Sequence, residues 1–318
     1  MYSIFDLKFM RFFMIKKILT TPVIFTIALT SSLAETSTLV DDAVVQNVTS
    51  QALTLGSRFF EDEALGFLPR GSTSEVSILG GTGSKPSSHM LFVAPLKETT
   101  SGVFFNQTQL GNYFVRGKSR TALNLGLGYR KISPDNKYFT GINTFLDLDS
   151  ENNQRASLGL EYFTTPFSIN ANVYQRLSGK HNVVADYTET VVNGNDVSII
   201  GQIPWVPWAD VNYTAYHWDA ISSSKDSKGY KLSTELRLTD YMMLEAGFDD
   251  NNINPTSRFA ALMFTYPPHN RATLKDKAFA TDAFEESDVR GDLLKKVKRN
   301  NRIVLESANV GVVMSRLD

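Results

Sequence analysis

The side chains that ordinarily do chemistry are few or scattered in this sequence. The four histidines, His89, His181, His217 and His269, stand far apart and show no HExxH-type ligand spacing. There is no cysteine, which removes thiol catalysis, disulfide staples and Cys-ligated zinc or iron–sulfur sites. Asp186, His217 and Asp219 are the nearest approach to an acid–base group, and loops gathered at one end of a fold could bring them together. Loop acids cluster without catalysis as well. Gly80-Gly81-Thr82-Gly83 precedes a strand rather than a helix, so it lacks the helix N-terminus that a phosphate cradle needs. No catalytic, cofactor-binding or metal-binding residue is expected, and the chain is read as something other than an enzyme.

The charges that do recur sit in a different pattern. Arg130, Glu161, Arg176, Glu235 and Arg237 each fall on the polar phase of a segment that alternates strictly. From Thr121 to Arg130, Leu123, Leu125, Leu127 and Tyr129 point one way, and Asn124, Gly126, Gly128 and Arg130 the other. The same period of two runs through Gln154–Tyr162, Phe167–Leu177, Tyr230–Leu238 and Met242–Asp249. Period two over about ten residues is a β-strand with one apolar and one polar face. Ion pairing across an enclosed space is the chemistry these charges could do.

Composition agrees with a folded, non-basic chain. Among 318 residues, 42% are hydrophobic and 20% charged, and 32 Lys and Arg nearly balance 33 Asp and Glu. That near balance argues against nucleic acid as a partner. Phe 21 and Tyr 12 are many for a chain with a mean hydropathy of −0.16.

The first 34 residues read as an address. Lys8, Arg11, Lys16 and Lys17 precede an apolar run from Ile18 to Leu29, and Ser32-Leu33-Ala34 supplies small residues for cleavage. Met14 is an alternative start to Met1. The run is shorter than the roughly 20 residues a spanning helix needs. Removing 1–34 takes four basic residues and Asp6, leaving an exported chain of about −4. Residues 35–72 are expected to be a periplasmic segment with a short amphipathic helix from Leu39 to about Phe60, where Val44, Val48, Ala52 and Leu55 recur.

Residues 73–268 are expected to form an antiparallel transmembrane β-barrel of about twelve strands. The polar face mixes Gly, Ser and Asn with Arg and Glu, which suits a crowded wet interior better than a solvated surface. Tyr129, Tyr162 and Phe163 fall near strand ends, where aromatic girdles sit. Connections mostly alternate in length, with the third, Arg116–Ser119, short for an outer loop. Ser133–Asn136, Thr164–Pro166 and Thr239–Tyr241 are tight, whereas Gly80–Ser87, Ser178–Asn195 and Asp219–Asp226 are longer and polar. That alternation places the tight turns in the periplasm and the long loops outside the cell outer membrane, with lipid as the partner.

Several motifs then resemble one family, the inverse autotransporter β-domain of the intimin/invasin adhesins. They are Asn124-Leu125-Gly126-Leu127-Gly128-Tyr129-Arg130, Gly141-Ile142-Asn143-Thr144-Phe145-Leu146-Asp147 and Arg155 through Tyr162. Ser168 through Gly179, Asn193-Gly194-Asn195-Asp196-Val197 and Arg299-Asn300-Asn301-Arg302-Ile303-Val304-Leu305-Glu306 continue the series in family order. The resemblance implies a type V secretion translocator. In it a C-terminal linker, here Asn300, Asn301, Arg302, Ile303, Leu305 and Glu306, threads the lumen and bonds to inward Arg130, Glu161, Arg176, Glu235 and Arg237. It also implies assembly by barrel-assembly and periplasmic chaperone machinery.

Residues 269–318 form the tail. Glu285, Glu286 and Asp288 come early and Lys295, Lys296 and Lys298 late, an order that suits a helix dipole, so Ala283–Lys298 is expected to be helical. Only Ser307–Asp318 follow the linker, too few to fold as an adhesive module, so adhesion by these residues themselves is not expected. A stand-alone structural or pore-forming barrel, its tail left in the periplasm, stays open as the alternative. The surface ligand is not legible.

Overall fold

The computed structural model describes residues 70–314, apart from 83, 185, 186, 224, 269, 270, 277, 285 and 310. The leader, the expected Leu39–Phe60 helix, Asp186 and His269 lie outside the described residues. Fourteen strands are met before the tail: β1 (Thr73–Gly81), β2 (Ser84–Thr99), β3 (Gly102–Val115), β4 (Lys118–Ile132), β5 (Tyr138–Asp149), β6 (Gln154–Thr164) and β7 (Phe167–Arg176). They continue as β8 (His181–Val184), β9 (Tyr187–Val191), β10 (Gly194–Ile203), β11 (Val206–Trp218), β12 (Ser227–Arg237), β13 (Met242–Asn251) and β14 (Ser257–Tyr266). Two short tail strands follow, β15 (Leu305–Asn309) and β16 (Gly311–Met314).

Twelve of these close into one antiparallel meander, in which β8 and β9 are bypassed and β7 pairs directly with β10. β1 seals the ring against β14 from Ser74↔Tyr266 to Gly81↔Phe259. Closure leaves no unpaired strand edge, the condition a sheet must meet where lipid offers no hydrogen bonds. Among the described residues no helix is long and apolar enough to cross a membrane, so the crossing is made by strands.

The expected faces are the observed ones. Leu125 is 39% exposed, Leu160 58% and Val173 56%, while their neighbours Asn124, Glu161 and Asn172 are buried. Apolar side chains turned outward and polar ones inward invert a soluble core, as a lipid solvent requires. The glycines on the polar phase have a packing reason. A Cβ on Gly126 would lie 2.2 Å from a Phe145 ring carbon, and one on Gly128 2.4 Å from a Phe105 ring carbon. Two strand positions are left empty so that rings from β3 and β5 can lie across them.

Three expectations are corrected. Gly80–Ser87 is not a long loop, because β1 and β2 run on to Gly81 and Ser84. Phe163 is not an outward girdle residue. It stacks on the buried Phe139 with ring centroids 4.9 Å apart, while Tyr138 and Tyr162 pair on the outside at 5.7 Å. Ala283–Lys298 is not helical beyond a 3-10 turn at Val289–Asp292. The reason lies in the wall around it, which satisfies main-chain groups that a helix would satisfy internally: Arg130 Nη1 donates to Leu293 O at 2.8 Å and Lys295 O at 2.7 Å, and Gln107 Oε1 accepts from Val297 N at 2.8 Å.

Two neighbouring substitutions on β4 test the inversion. Leu127→Arg should cost about 2–4 kcal/mol if the position faces mid-bilayer, while Leu127→Phe should be near neutral. Gly126→Val should cost about 1–3 kcal/mol by displacing Phe145. Denaturant midpoints of the refolded barrel in lipid would read both.

Candidate functional site

Inside the ring, polar side chains from most of the wall converge on one extended segment of the chain itself. Its entrance lies at the end carrying the tight turns. There Val289, Leu293 and Val297 join Leu91, Val93, Phe105, Ile132, Phe139 and Phe145 in a small apolar core within the barrel. Arg130 is buried beside that core, its guanidinium 4.5 Å from the Phe105 ring centroid and 5.2 Å from that of Phe139. Glu161 fixes it, accepting from Nη2 at 2.7 Å, and is itself held by Asn143 at 2.7 Å. Burying such a charge is tolerable only with its partner in place.

At mid-depth the apolar contacts give way to a charged centre. Asp147 accepts from Arg155 Nε at 2.9 Å and from both terminal nitrogens of Arg299, at 2.9 and 2.7 Å. All three side chains are fully buried. Arg155 also reaches past Asp147 to Asn300 O at 2.7 Å, and Arg299 lies over the Phe145 ring at 4.3 Å. Asn124 donates to both Asp147 and Asn301 O. Tyr174 passes its proton toward Asp196 at 2.6 Å and accepts from Asn300 N at 2.8 Å, and Asn301 Nδ2 donates to Gln109.

The segment leaves by the opposite mouth. Arg302 donates to Phe114 O at 2.8 Å and lies over the Tyr113 ring at 4.7 Å. Ile303 and Leu305 are buried with Val191. β15 then pairs antiparallel with β9, from Leu305↔Val191 to Asn309↔Tyr187, within a small sheet ordered β16-β15-β9-β8. Arg120 ties that sheet to the barrel through a pair with Glu189, supported by Asp149 at 3.4 Å. The Glu306 carboxylate accepts three successive backbone N–H groups, from Ile221, Ser222 and Ser223, at 2.7, 2.7 and 3.0 Å.

The expected wall residues divide. Arg130 and Glu235 bond to the segment, Glu235 through Lys298, and Glu161 acts by orienting Arg130. Arg237 turns elsewhere, to Asp210, Pro207 O and Ala272 O. Arg176 is exposed at the end of β7, where its backbone N–H bonds to Asn193 Oδ1 at 2.9 Å. Asp147, Arg155, Asn124, Gln107, Gln109, Tyr174 and Arg299 were missed as site residues. Their signal was available, because each wall residue among them lies on the inward phase and Asp147 and Arg155 are charges at membrane depth.

His217 Nε2 lies 3.0 Å from Asp226 Oδ2 and 3.8 Å from Asp219 Oδ1. Asp226 also accepts from Ala220 N at 3.0 Å, which stitches the loop shut. Among the described residues no group of three His, Asp or Glu side chains could hold a metal ion.

Two outcomes follow from these contacts. Asp147→Ala strands two buried guanidinium groups and should cost about 3–5 kcal/mol, read as a lower temperature for the heat-dependent shift in gel migration. The Asp226 carboxyl is held below the usual range, first by the Ala220 N–H and then by His217. A carboxyl depressed on folding adds stability above its unfolded pKa and loses it as pH falls through the folded one. Loop 219–226 should therefore become more open to protease as pH drops below about 4.

Comparison with known proteins places the arrangement. The chain matches the family model described as inverse autotransporter, beta-domain, over residues 33–301. It is 26% identical over 297 residues to the inverse autotransporter adhesin YeeJ of Escherichia coli (strain K12), an alignment covering 87% of this chain and 12% of that protein. It is 31% identical over 176 residues to Invasin of Yersinia enterocolitica, covering 52% of this chain and 20% of that protein. The chain thus spans only a small part of the length of these relatives. A solved structure described in connection with the in-meso crystallisation of membrane proteins shares the fold. Its TM-score is 0.61 at 23% identity, over 74% of this chain and 99% of that one. With a twelve-stranded barrel, outward apolar strands and a family match across most of its length, the chain belongs to the inverse autotransporter β-domain family and lies in the lipid of the outer membrane.

Proposed function

We propose that this barrel is a translocator in the type V sense, with its own C-terminal linker threaded through the lumen from the periplasmic mouth to the cell surface. The observation that carries this reading is the continuity of the contacts: Leu293 and Lys295 bond to the wall near the tight turns, Asn300 at mid-depth, and Leu305–Asn309 outside against β9. The barrel does no covalent chemistry in this reading. Its work is to give a polypeptide a wet, hydrogen-bonding route through a layer that has none. Asn300, Asn301, Arg302, Ile303, Leu305 and Glu306 occupy that route, and Arg130, Glu161 and Glu235 hold its lower half. Arriving through the periplasm behind a cleaved leader, the chain would be inserted with the help of periplasmic chaperones and the barrel-assembly machinery. The Escherichia coli relative is named an adhesin. Here the described residues supply the export limb of such a protein, and the surface ligand is left to whatever is carried outward.

The test is the location of the C-terminal end. An epitope tag placed after Asp318 should react with antibody on intact cells and be removed by external protease, with a periplasmic protein as leakage control. A tag that reacts only after permeabilisation overturns the reading and leaves a barrel whose tail has stayed behind.

A further inference from the structure

At the outer mouth the linker is held in two different ways. Its main chain pairs with β9 from Leu305↔Val191 to Asn309↔Tyr187. Its Glu306 side chain crosses to the loop between β11 and β12, where the carboxylate accepts from Ile221 N at 2.7 Å, Ser222 N at 2.7 Å and Ser223 N at 3.0 Å. Glu306 is buried. A buried charge needs strong partners, and the described hydrogen bonds to this one all come from main-chain amides.

The strand pairing cannot set a register on its own. Main-chain groups are much the same at every residue, and a slip of two along β9 keeps each side chain on its face. The carboxylate can set it. On the phase of Glu306, β15 has only Ala308, and Val304 comes just before the strand. Neither side chain can accept a hydrogen bond, so a slip of two in either direction sets an apolar group before the three amides. A slip of one turns the carboxylate to the opposite face.

The loop that receives Glu306 is tied down at its base by the barrel. Asp219 N donates to Asn193 O at 2.9 Å, Ala220 N to Asp226 Oδ1 at 3.0 Å, and Asn252 Nδ2 to Asp226 O at 2.9 Å. The tip differs. Ile221 is 42% exposed and Ser222 is exposed, so little side-chain burial holds these residues in place. What the tip offers instead is three successive N–H groups aimed at one point, the arrangement by which a backbone concavity binds an anion.

We propose that the tip at 221–223 is a carboxylate receptor that closes on Glu306 as it emerges. Glu306 is then the residue that fixes where the linker stops and keeps it from slipping back. The inference rests on the translocator reading, because Glu306 reaches this loop only by way of the lumen.

The test follows the loop and the tag after Asp318 together, in the full chain at neutral pH. The chain has no cysteine, so Ser222→Cys can carry a single nitroxide, and Lys225 offers trypsin a cut in the same loop. In the parent the nitroxide should be immobilised and the cut after Lys225 slow. Glu306→Ala should free the nitroxide and speed the cut about ten-fold. Sodium formate should return both toward the parent, where sodium chloride at the same ionic strength does not. Glu306→Gln keeps one acceptor oxygen without the charge and should fall between the two; it also serves should the alanine variant fail to fold. A folded Glu306→Ala barrel whose loop is as immobile and as slowly cut as the parent's overturns the proposal. So does a freed loop that formate leaves unchanged. If the tag is hidden in the parent itself, the translocator reading has failed and takes this inference with it.

Discussion

Asp147 joins the wall of this barrel to the chain inside it. One fully buried carboxylate holds Arg155 of β6 and Arg299 of the linker, and neither guanidinium has water to fall back on. A buried ion pair is weak as a source of net stability, since desolvation offsets most of the attraction. It is strong as a specifier, because any register of the linker that moves Arg299 by a residue leaves a charge uncompensated. Around it the remaining contacts are set in order: Asn300 between Arg155 and Tyr174, Asn301 between Asn124 and Gln109, and Arg302 under Phe114.

Two kinds of packing share the length of the lumen, and the difference follows from what each end must do. The periplasmic half is dry on the β2–β5 side, with Val289, Leu293 and Val297 among aromatic rings and Gly126 and Gly128 left bare to admit them. The outer half adds only small apolar clusters, Ile303 and Leu305 with Val191 and Val304 with Tyr216 and Trp218, to its polar contacts, and ends in a sheet of main-chain bonds, β15 on β9, anchored by Arg120 to Glu189. Apolar contact fixes position without direction. Hydrogen bonds and ion pairs further out convert that position into a defined register.

Much of this was legible from period alone. Strict alternation separated Leu123, Leu125 and Leu127 from Asn124, Gly126 and Gly128, and with it the lipid face from the lumen face. Arg130, Glu161 and Glu235 followed as inward charges. What period cannot show is which inward charge faces which element across the ring. Arg237 and Arg176 share the phase of Arg130, yet one is held by Asp210 and the other sits exposed at a strand end. The tail was misread for a related reason. Acids before bases suit a helix dipole, but Ala283–Lys298 is surrounded by donors and acceptors that a solvated helix would not meet, and local propensity gives way to them.

Those donors also bear on how a polypeptide could move through such a lumen. Arg130 bonds to the carbonyls of Leu293 and Lys295, Arg155 to that of Asn300, Asn124 to that of Asn301 and Asn172 to that of Lys298. Every residue carries a carbonyl, so these contacts read the backbone and are indifferent to side chains. An extended chain presents new carbonyls every few ångströms and can exchange one wall donor for the next as it advances. A helix would bring its own bonds already made and leave the wall's charges unanswered. In the proposed translocator reading, side chains set the stopping point, where Lys298 meets Glu235, Arg299 meets Asp147, Asn301 meets Gln109 and Glu306 meets the three amides of Ile221, Ser222 and Ser223. A wall that accepts many sequences in passing and holds one at rest needs both kinds of contact, and at mid-depth this lumen sets them side by side, Arg155 on the Asn300 carbonyl and Asp147 on Arg299.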